Sequence, residues 1–278
     1  VMKNLILSLA KGYDFNTLKP FIISLEESGF KGDLVLFVSD INEKTRDILI
    51  KRGVQLVSFS EDYPYLDGFA SENIPKKEYL GKMPLLSLRF VMFYLYLSKY
   101  GKSYSQIMLT DIRDVIFQKD PFDFALNEEL CCFLEDKRMR ISDDQRWNAT
   151  WIRESFGEEV LKKIENNYIS CAGIVIGTLS PIMDYLKKMV DILADTNKVC
   201  NDQAAHNYLI YTNQFENLKF FENENGPILT LAFKKEETMQ FNDKGLIINA
   251  SGDVVNIIHQ YDRHDGLMEN IKRKYKAY

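Results

Sequence analysis

The sequence predicts an α/β protein with a mixed, mostly parallel central sheet and helices on both faces. From Leu5 to Phe59, short apolar runs alternate with amphipathic segments, the pattern of consecutive βα units. The strand-like runs are apolar throughout instead of alternating with polar residues, as expected of a sheet covered on both sides. One later run, Ile107 to Thr110, breaks at Asp111, Arg113 and Asp114. That break delivers charge to the C-terminal end of a buried strand, where open α/β sheets bind their ligands.

Taken in order, Leu5 to Leu9 reads as the first strand, with Ala10, Lys11, Gly12, Tyr13 and Asp14 in the loop that follows. Phe15 to Ser28 places Leu18, Phe21, Ile22 and Leu25 on one helical face, and Gly29 stops it. Leu34 to Val38 is the second strand and ends at Ser39 and Asp40. A helix over Asn42 to Arg52 and a strand over Val54 to Phe59 follow. No G-x-G-x-x-G marks the first loop, so the dinucleotide fingerprint is absent, although a nucleotide can still sit over these strand ends. Glu61 to Lys82, polar and aromatic with Pro64, Pro75 and Gly81, reads as a long loop on the same face.

Pro84 to Tyr100 is a strongly apolar helix with Arg89 near its start. Two readings stay open for that arginine: a snorkelling or carboxylate-paired side chain, or one aimed at the Asp111 cluster or at phosphate. Leu130 to Leu134 is a further strand. The charged stretch from Glu135 to Trp151, with Arg138, Arg140, Arg146, Trp147 and Trp151, reads as irregular, either an acceptor lid or a surface connection. A short helix over Glu158 to Glu165 comes next. Tyr168 to Thr178 then joins a small-residue turn to a strand, where Ala172 and Gly173 allow close backbone approach by a ligand or by packed neighbours. Helices follow from Ser180 to Leu193 and from Asn201, where Asp202 is a candidate cap. Short strands at Phe220–Phe221, Ile228–Phe233, Leu246–Asn249 and Val254–Ile258 complete the chain before His259 and a terminal helix.

The composition narrows the function classes. With 278 residues, 46% hydrophobic and 27% charged, the chain has ample material for a core, and its net charge of −5 argues against a nucleic-acid partner. The basic tail from Lys272 to Tyr278 suits a solvated helix end or a weak contact with an anionic membrane surface. Cys131, Cys132, Cys171 and Cys200 lack C-x-x-C spacing, which points to reduced thiols in a cytoplasmic setting, where the basic tail would meet the inner membrane face. Three histidines, His206, His259 and His264, argue against a zinc site but leave one histidine free to join a carboxylate site. No signal peptide or membrane span is expected.

Asp111 and Asp114 are costly to bury without a cation or hydrogen-bond donors. A divalent ion carrying substrate phosphates would satisfy both, and so would pairing with Arg113 or capping of the next turn.

Four patterns occur in a recognisable order: Leu109-Thr110-Asp111-Ile112-Arg113-Asp114, then Cys171-Ala172-Gly173-Ile174-Val175-Ile176, then Asp202-Gln203-Ala204-Ala205-His206-Asn207, then His259 after an apolar run. Together they resemble the L-D-x-D, N-A-G-[VI], D-Q-x-x-[LF]-N and late-histidine motifs of GT-A fold nucleotide-sugar glycosyltransferases. The similarity is to the glycogenin and lipooligosaccharide galactosyltransferase group, and it spans about Leu5 to His259. It implies one GT-A-like domain over 1–278, with a nucleotide-binding half over about 1–125 and an acceptor-binding half over about 126–278.

The resemblance implies Mn²⁺ or Mg²⁺ held by Asp111, Asp114 and His259, and a nucleotide-sugar donor, UDP-sugar first among them. Donor contacts would come from Ala10, Lys11, Tyr13, Asp40, Arg89, Arg113, Ala172, Gly173 and Arg263, with Asp202 and Gln203 at the reacting centre. The acceptor would be a glycan or glycoconjugate. Arg113 stands where the family has its second aspartate. Three arrangements are therefore open: Asp114 reaches the metal, Asp111 and His259 bind it with Asp114 behind them, or Arg113 supplies part of its charge. The usual glycine, lysine, proline and tryptophan after the histidine are also missing. Retention and inversion both remain open, as do a sugar-nucleotide nucleotidyltransferase and a non-catalytic nucleotide- or glycan-binding module.

Overall fold

The computed structural model describes residues 2–59, 83–194 and 201–276. The loop expected over Glu61 to Lys82, Cys200 and the last two residues of the basic tail lie outside them. The chain begins β1 (Lys3–Lys11), α1 (Phe15–Glu27), β2 (Asp33–Ser39), α2 (Glu43–Lys51) and β3 (Gln55–Ser58). It continues with α3 (Leu85–Tyr100), β4 (Tyr104–Thr110), β5 (Val115–Phe117), β6 (Leu130–Leu134), α4 (Asn148–Phe156) and α5 (Glu158–Ile164). Then come β7 (Ser170–Gly177), α6 (Leu179–Leu193), α7 (Asp202–Tyr211), β8 (Leu218–Phe221) and β9 (Ile228–Thr230). The last elements are β10 (Gln240–Phe241), β11 (Ile247–Ile248), β12 (Ile257–His259) and α8 (Asp265–Tyr275).

The central sheet has seven strands in the order β3-β2-β1-β4-β7-β6-β8. All neighbours pair in parallel except β7, which runs antiparallel to both β4 and β6. The sheet is thus mixed and mostly parallel, as the sequence predicts.

Strand alternation sorts the apolar residues onto two faces. Ile6, Leu36, Met108, Cys131 and Ile176 pack with Leu18, Phe21 and Ile22 of α1 and with Leu267, Ile271 and Tyr275 of α8. Leu5, Leu7, Phe37, Leu109, Cys132 and Val175 pack on the opposite face against α3, α6 and α7. Each such side chain taken from water stabilises the fold by roughly 1.5–3 kcal/mol, so strands buried on both faces explain why these runs carry no polar alternation. No helix among the described residues is long and apolar enough to cross a membrane.

Two smaller features position the site. A three-stranded sheet, β5-β12-β9, sets Val115 opposite His259 in an antiparallel pair. A third apolar cluster, Ile141, Ala149, Ile152, Leu161, Ile164, Ile169 and Ala204, underlies residues 135–169. The stretch expected to be irregular through Trp151 becomes helical at Asn148. The buried Asp144 carboxylate accepts from the Asn148 backbone N–H at 3.0 Å, starting the turn, and Ala149 and Ile152 then fill the cluster.

Candidate functional site

β4 ends at Thr110, and the next residues form a turn clamped from several sides. Asp111 N–H donates to the Gly173 carbonyl at 2.8 Å, Gln260 N–H donates to the Asp114 carbonyl at 2.8 Å, and the Tyr261 hydroxyl donates to the Arg113 carbonyl at 2.9 Å. The three strands β4, β7 and β12 therefore meet at this turn.

The carboxylates of Asp111 and Asp114 converge on the imidazole of His259, with one ligand atom from each lying within 4.8 Å of the others. His259 is fully buried, and its Nε2 lies 3.4 Å from Asp111 Oδ2 and 3.8 Å from Asp114 Oδ1, without a hydrogen-bond partner. Burial opposes a charge on His259, but Cys171, Asp111 and Asp114 outweigh it and raise its pKa well above the usual imidazole range. Asp114 is pushed up by burial, with His259 pulling the other way.

Gly173 makes the approach possible. A Cβ there would lie 2.5 Å from Asp111 Oδ2 and 2.5 Å from His259 Cε1. The orphaned imidazole nitrogen, the two carboxylates and this clearance fit Mn²⁺ or Mg²⁺, for which carboxylate oxygen is the preferred protein donor.

Arg89 of α3, 7% exposed, forks between two carboxylates. One nitrogen donates to Asp111 Oδ1 and the other to Asp202 Oδ2, the latter at 2.8 Å. Burial works against ionising Asp111, yet Arg89 and then His259 hold its carboxyl well below the usual range. Burial pushes the Asp202 carboxyl up, and Arg89 only partly offsets it. Asp202 is not the cap of α7. The Asn201 side chain accepts from Ala204 N–H at 2.8 Å, which leaves the Asp202 carboxylate for Arg89.

Gln203 lies beside it, with its amide fully engaged. Its Oε1 accepts from Ala172 N–H at 2.9 Å, while Nε2 donates to Ser170 O at 2.9 Å and to Asn148 Oδ1 at 3.1 Å. Gln203 thereby couples α7 to β7 and α4.

His206 anchors α7 from below, between the Ser170 hydroxyl and the Tyr185 hydroxyl, each at 2.9 Å. Burial, helped by Arg89, lowers its pKa to about 3. The unfolded chain takes up this proton below about 6.5 and the folded chain does not. The stability that the neutral ring confers is therefore present above that pH and lost as pH falls towards 3. In urea unfolding, the advantage of wild type over His206→Gln is expected to shrink by about 2 kcal/mol between pH 7 and pH 5. An advantage that does not change with pH contradicts the buried neutral ring.

The remaining sequence candidates lie at varying distances from this cluster. Ala10 is buried at the end of β1, Lys11 sits 4.0 Å from Asp40, and Asp40 adopts a left-handed φ of 54° at the end of β2. Tyr13 packs against the core below them. β1 and β4 are parallel neighbours, so these residues share one sheet edge with Asp111. Arg113 is turned elsewhere: it pairs with Asp262 at 2.7 Å and lines a cleft of about 950 Å³ between α1 and α8, which Asp111, Asp202 and His259 do not line. Arg263 is half exposed and also meets Asp262, at 3.2 Å. The cation on Asp111 is thus Arg89 rather than Arg113.

Sequence reasoning missed Glu135 as a site residue. It follows β6 and is 5% exposed. Burial pushes its carboxyl up to about 7, against the pull of His259. The available sequence signal was a carboxylate directly following an apolar strand, as at Asp111.

The fold is similar to that of solved glycosyltransferases of GT-A architecture. Among solved structures, the chain is similar to the bifunctional glycosyltransferase WbbM in its apo form, with 12% identity, a TM-score of 0.58 and 99% of this chain covered. It spans about half of that protein, 51% of its length. It is also similar to the galactosyltransferase LgtC in complex with donor and acceptor sugar analogs, with 14% identity, a TM-score of 0.55, and coverage of 98% of this chain and 95% of LgtC. An active-site mutant of LgtC matches at 13% identity with the same TM-score of 0.55, covering 98% of this chain and 95% of the mutant. No protein-family model and no curated protein matches the sequence.

Proposed function

We propose that the protein is a metal-dependent glycosyltransferase that moves a sugar from a nucleoside diphosphate donor, UDP-sugar first, to a glycan or glycoconjugate acceptor. One observation carries the reading: the buried, unpartnered Nε2 of His259 faces Asp111 and Asp114 at the end of a central strand. Such a donor set is costly to bury unless a cation completes it.

Asp111, Asp114 and His259 would hold Mn²⁺ or Mg²⁺, which acts as a Lewis acid on the diphosphate as negative charge develops on the leaving group. The residues at the ends of β1 and β2, Ala10, Lys11, Tyr13 and Asp40, would form the nucleotide floor. Arg89 holds Asp111 ionised and, through its second nitrogen, fixes Asp202 relative to it. Asp202 would stabilise cationic character on the donor sugar or accept the acceptor hydroxyl proton. Gln203 holds Ala172 through its backbone N–H. Arg263 is free enough at the surface to turn towards a diphosphate.

The test is a thermal-shift series with UDP, GDP, CMP and ADP, each with and without Mn²⁺. A ligand at 100 times its dissociation constant stabilises by about 2.7 kcal/mol, which raises Tm by roughly 5 °C or more in a protein of this size. The expected result is such a shift for one nucleotide, UDP first, only with Mn²⁺, and its loss in Asp111→Asn. A folded wild type that responds to none of the four overturns the reading and favours a non-catalytic module.

A further inference from the structure

We propose that Trp147, braced by Trp151, is a stacking platform for a pyranose ring of the acceptor, at the rim of the reaction centre around Asp202 and Gln203. The inference rests on the glycosyltransferase reading above and gives that site an apolar face for a sugar, which neither Asp202 nor Gln203 supplies.

The turn that opens α4 fixes both rings. Trp151 N–H donates to the Trp147 carbonyl at 2.8 Å, so the two side chains, four residues apart, stand on one side of the helix. Their ring centres are 5.3 Å apart, with the planes tilted by 41°. Trp151 is half-buried and packs on the third apolar cluster, which Ala149 and Ile152 enter from the same helix. The pair therefore has a fixed support. Trp147 itself is 46% exposed. It occupies the N-cap position of α4, yet its side chain makes no capping bond. Serine, aspartate or asparagine there would typically stabilise the helix by about 1 kcal/mol. The chain forgoes that gain for an indole in water and takes the Asn148 N–H on Asp144 instead.

Asn148 ties this turn to the reaction centre. Its Oδ1 accepts from Gln203 Nε2 at 3.1 Å, and Gln203 follows Asp202 on α7. Neighbouring Cα atoms are about 3.8 Å apart, so the exposed indole is carried one short step from a side chain that touches Gln203. A β-pyranoside with equatorial substituents turns axial C–H bonds, polarised by the ring oxygens, to one face. The negative face of an indole attracts such bonds as it attracts a cation. Arg146 displays that attraction, its guanidinium lying 4.9 Å from the centre of the Trp147 ring. At an exposed site the contact is worth about 0.5–1 kcal/mol, little enough for a sugar to displace the arginine, whose N–H groups can then meet sugar hydroxyls.

Trp147 and Trp151 are the two tryptophans of the chain, so tryptophan emission reads this pair alone. The experiment titrates methyl β-glucoside, methyl β-galactoside and methyl β-N-acetylglucosaminide, with glycerol as control, into protein holding Mn²⁺ and the nucleotide that stabilises it. Emission is followed beside saturation-transfer NMR of the same sugars. A saturable change in emission is expected for at least one sugar and not for glycerol, with transfer mainly to the C–H protons of one ring face. Trp147→Ala is expected to bind that sugar about 10-fold more weakly, and Trp147→Phe, which keeps a ring, to recover most of the loss. Where a nucleotide and Mn²⁺ stabilise the wild type, three results overturn the platform alone: a sugar that binds without changing the emission, binding by none of the sugars, or unchanged affinity in Trp147→Ala. The first two need no variant to fold. A wild type that no nucleotide stabilises overturns the glycosyltransferase reading and the platform with it.

Discussion

Replacing Arg89 by methionine is expected to destabilise the protein by about 3–5 kcal/mol in metal-free urea unfolding, among the largest effects of any single side chain here. Arg89 is buried in an otherwise apolar helix and is the cation for both Asp111 and Asp202. Its removal takes the guanidinium from both carboxylates, and Asp202 keeps only the Gln203 N–H at 3.0 Å. Lysine is expected to recover only part of the loss, because a single ammonium cannot span two carboxylates as the guanidinium fork does. Arg89→Met combined with Asp202→Asn is expected to be more stable than Arg89→Met alone, since one of the stranded charges is removed. Mn²⁺ should also stabilise Arg89→Met more than wild type, by compensating Asp111. A loss under about 1 kcal/mol for Arg89→Met would mean that the two carboxylates find other partners and that the fork is not what holds them.

That arginine also shows what was legible before the structure and what was not. The apolar runs from Leu5 to Val38 specify buried strands because their side chains meet helices on both faces, a local consequence of period-two alternation. The break at Asp111 locates the ligand edge for an equally local reason. Arg89 announced itself as a charge among leucines and aromatics, but not which of its two readings held, because Asp111 and Asp202 are 22 and 113 residues away. The same distance in sequence hid Glu135, whose carboxyl feels the charge of His259 on β12. Asp202 looked like a helix cap because aspartate commonly is one. Asn201 takes that role with equally good chemistry, and only the site explains why the next residue is free. Arg113 stood at the motif position that suggested contact with the metal. The turn instead sends it outwards to Asp262, with which it pairs at 2.7 Å.

Gly173→Ala is expected to weaken Mn²⁺ binding by at least ~100-fold while costing the fold only about 1–3 kcal/mol, the usual range for a small overpacking change. The glycine is not required by its backbone conformation, so the effect comes from space alone. An added methyl carbon would stand 2.5 Å from Asp111 Oδ2, 2.5 Å from His259 Cε1 and 2.9 Å from His259 Nε2. Neither neighbour can yield easily. Asp111 is held by Arg89 through its other oxygen and by its own N–H on the Gly173 carbonyl. His259 is fixed by pairing with Val115 and Thr230 on either side of β12 and by Cys171 at Nδ1. The methyl group must therefore part the two ligands that the cation needs close together. Titration of Mn²⁺ into Gly173→Ala, beside a urea curve in the presence of chelator, separates lost metal affinity from lost stability. Wild-type Mn²⁺ affinity in a folded Gly173→Ala protein would show that the cation does not bind between Asp111 and His259. A site at the end of a buried strand would then have to be sought from the remaining carboxylates, Asp202 and Glu135.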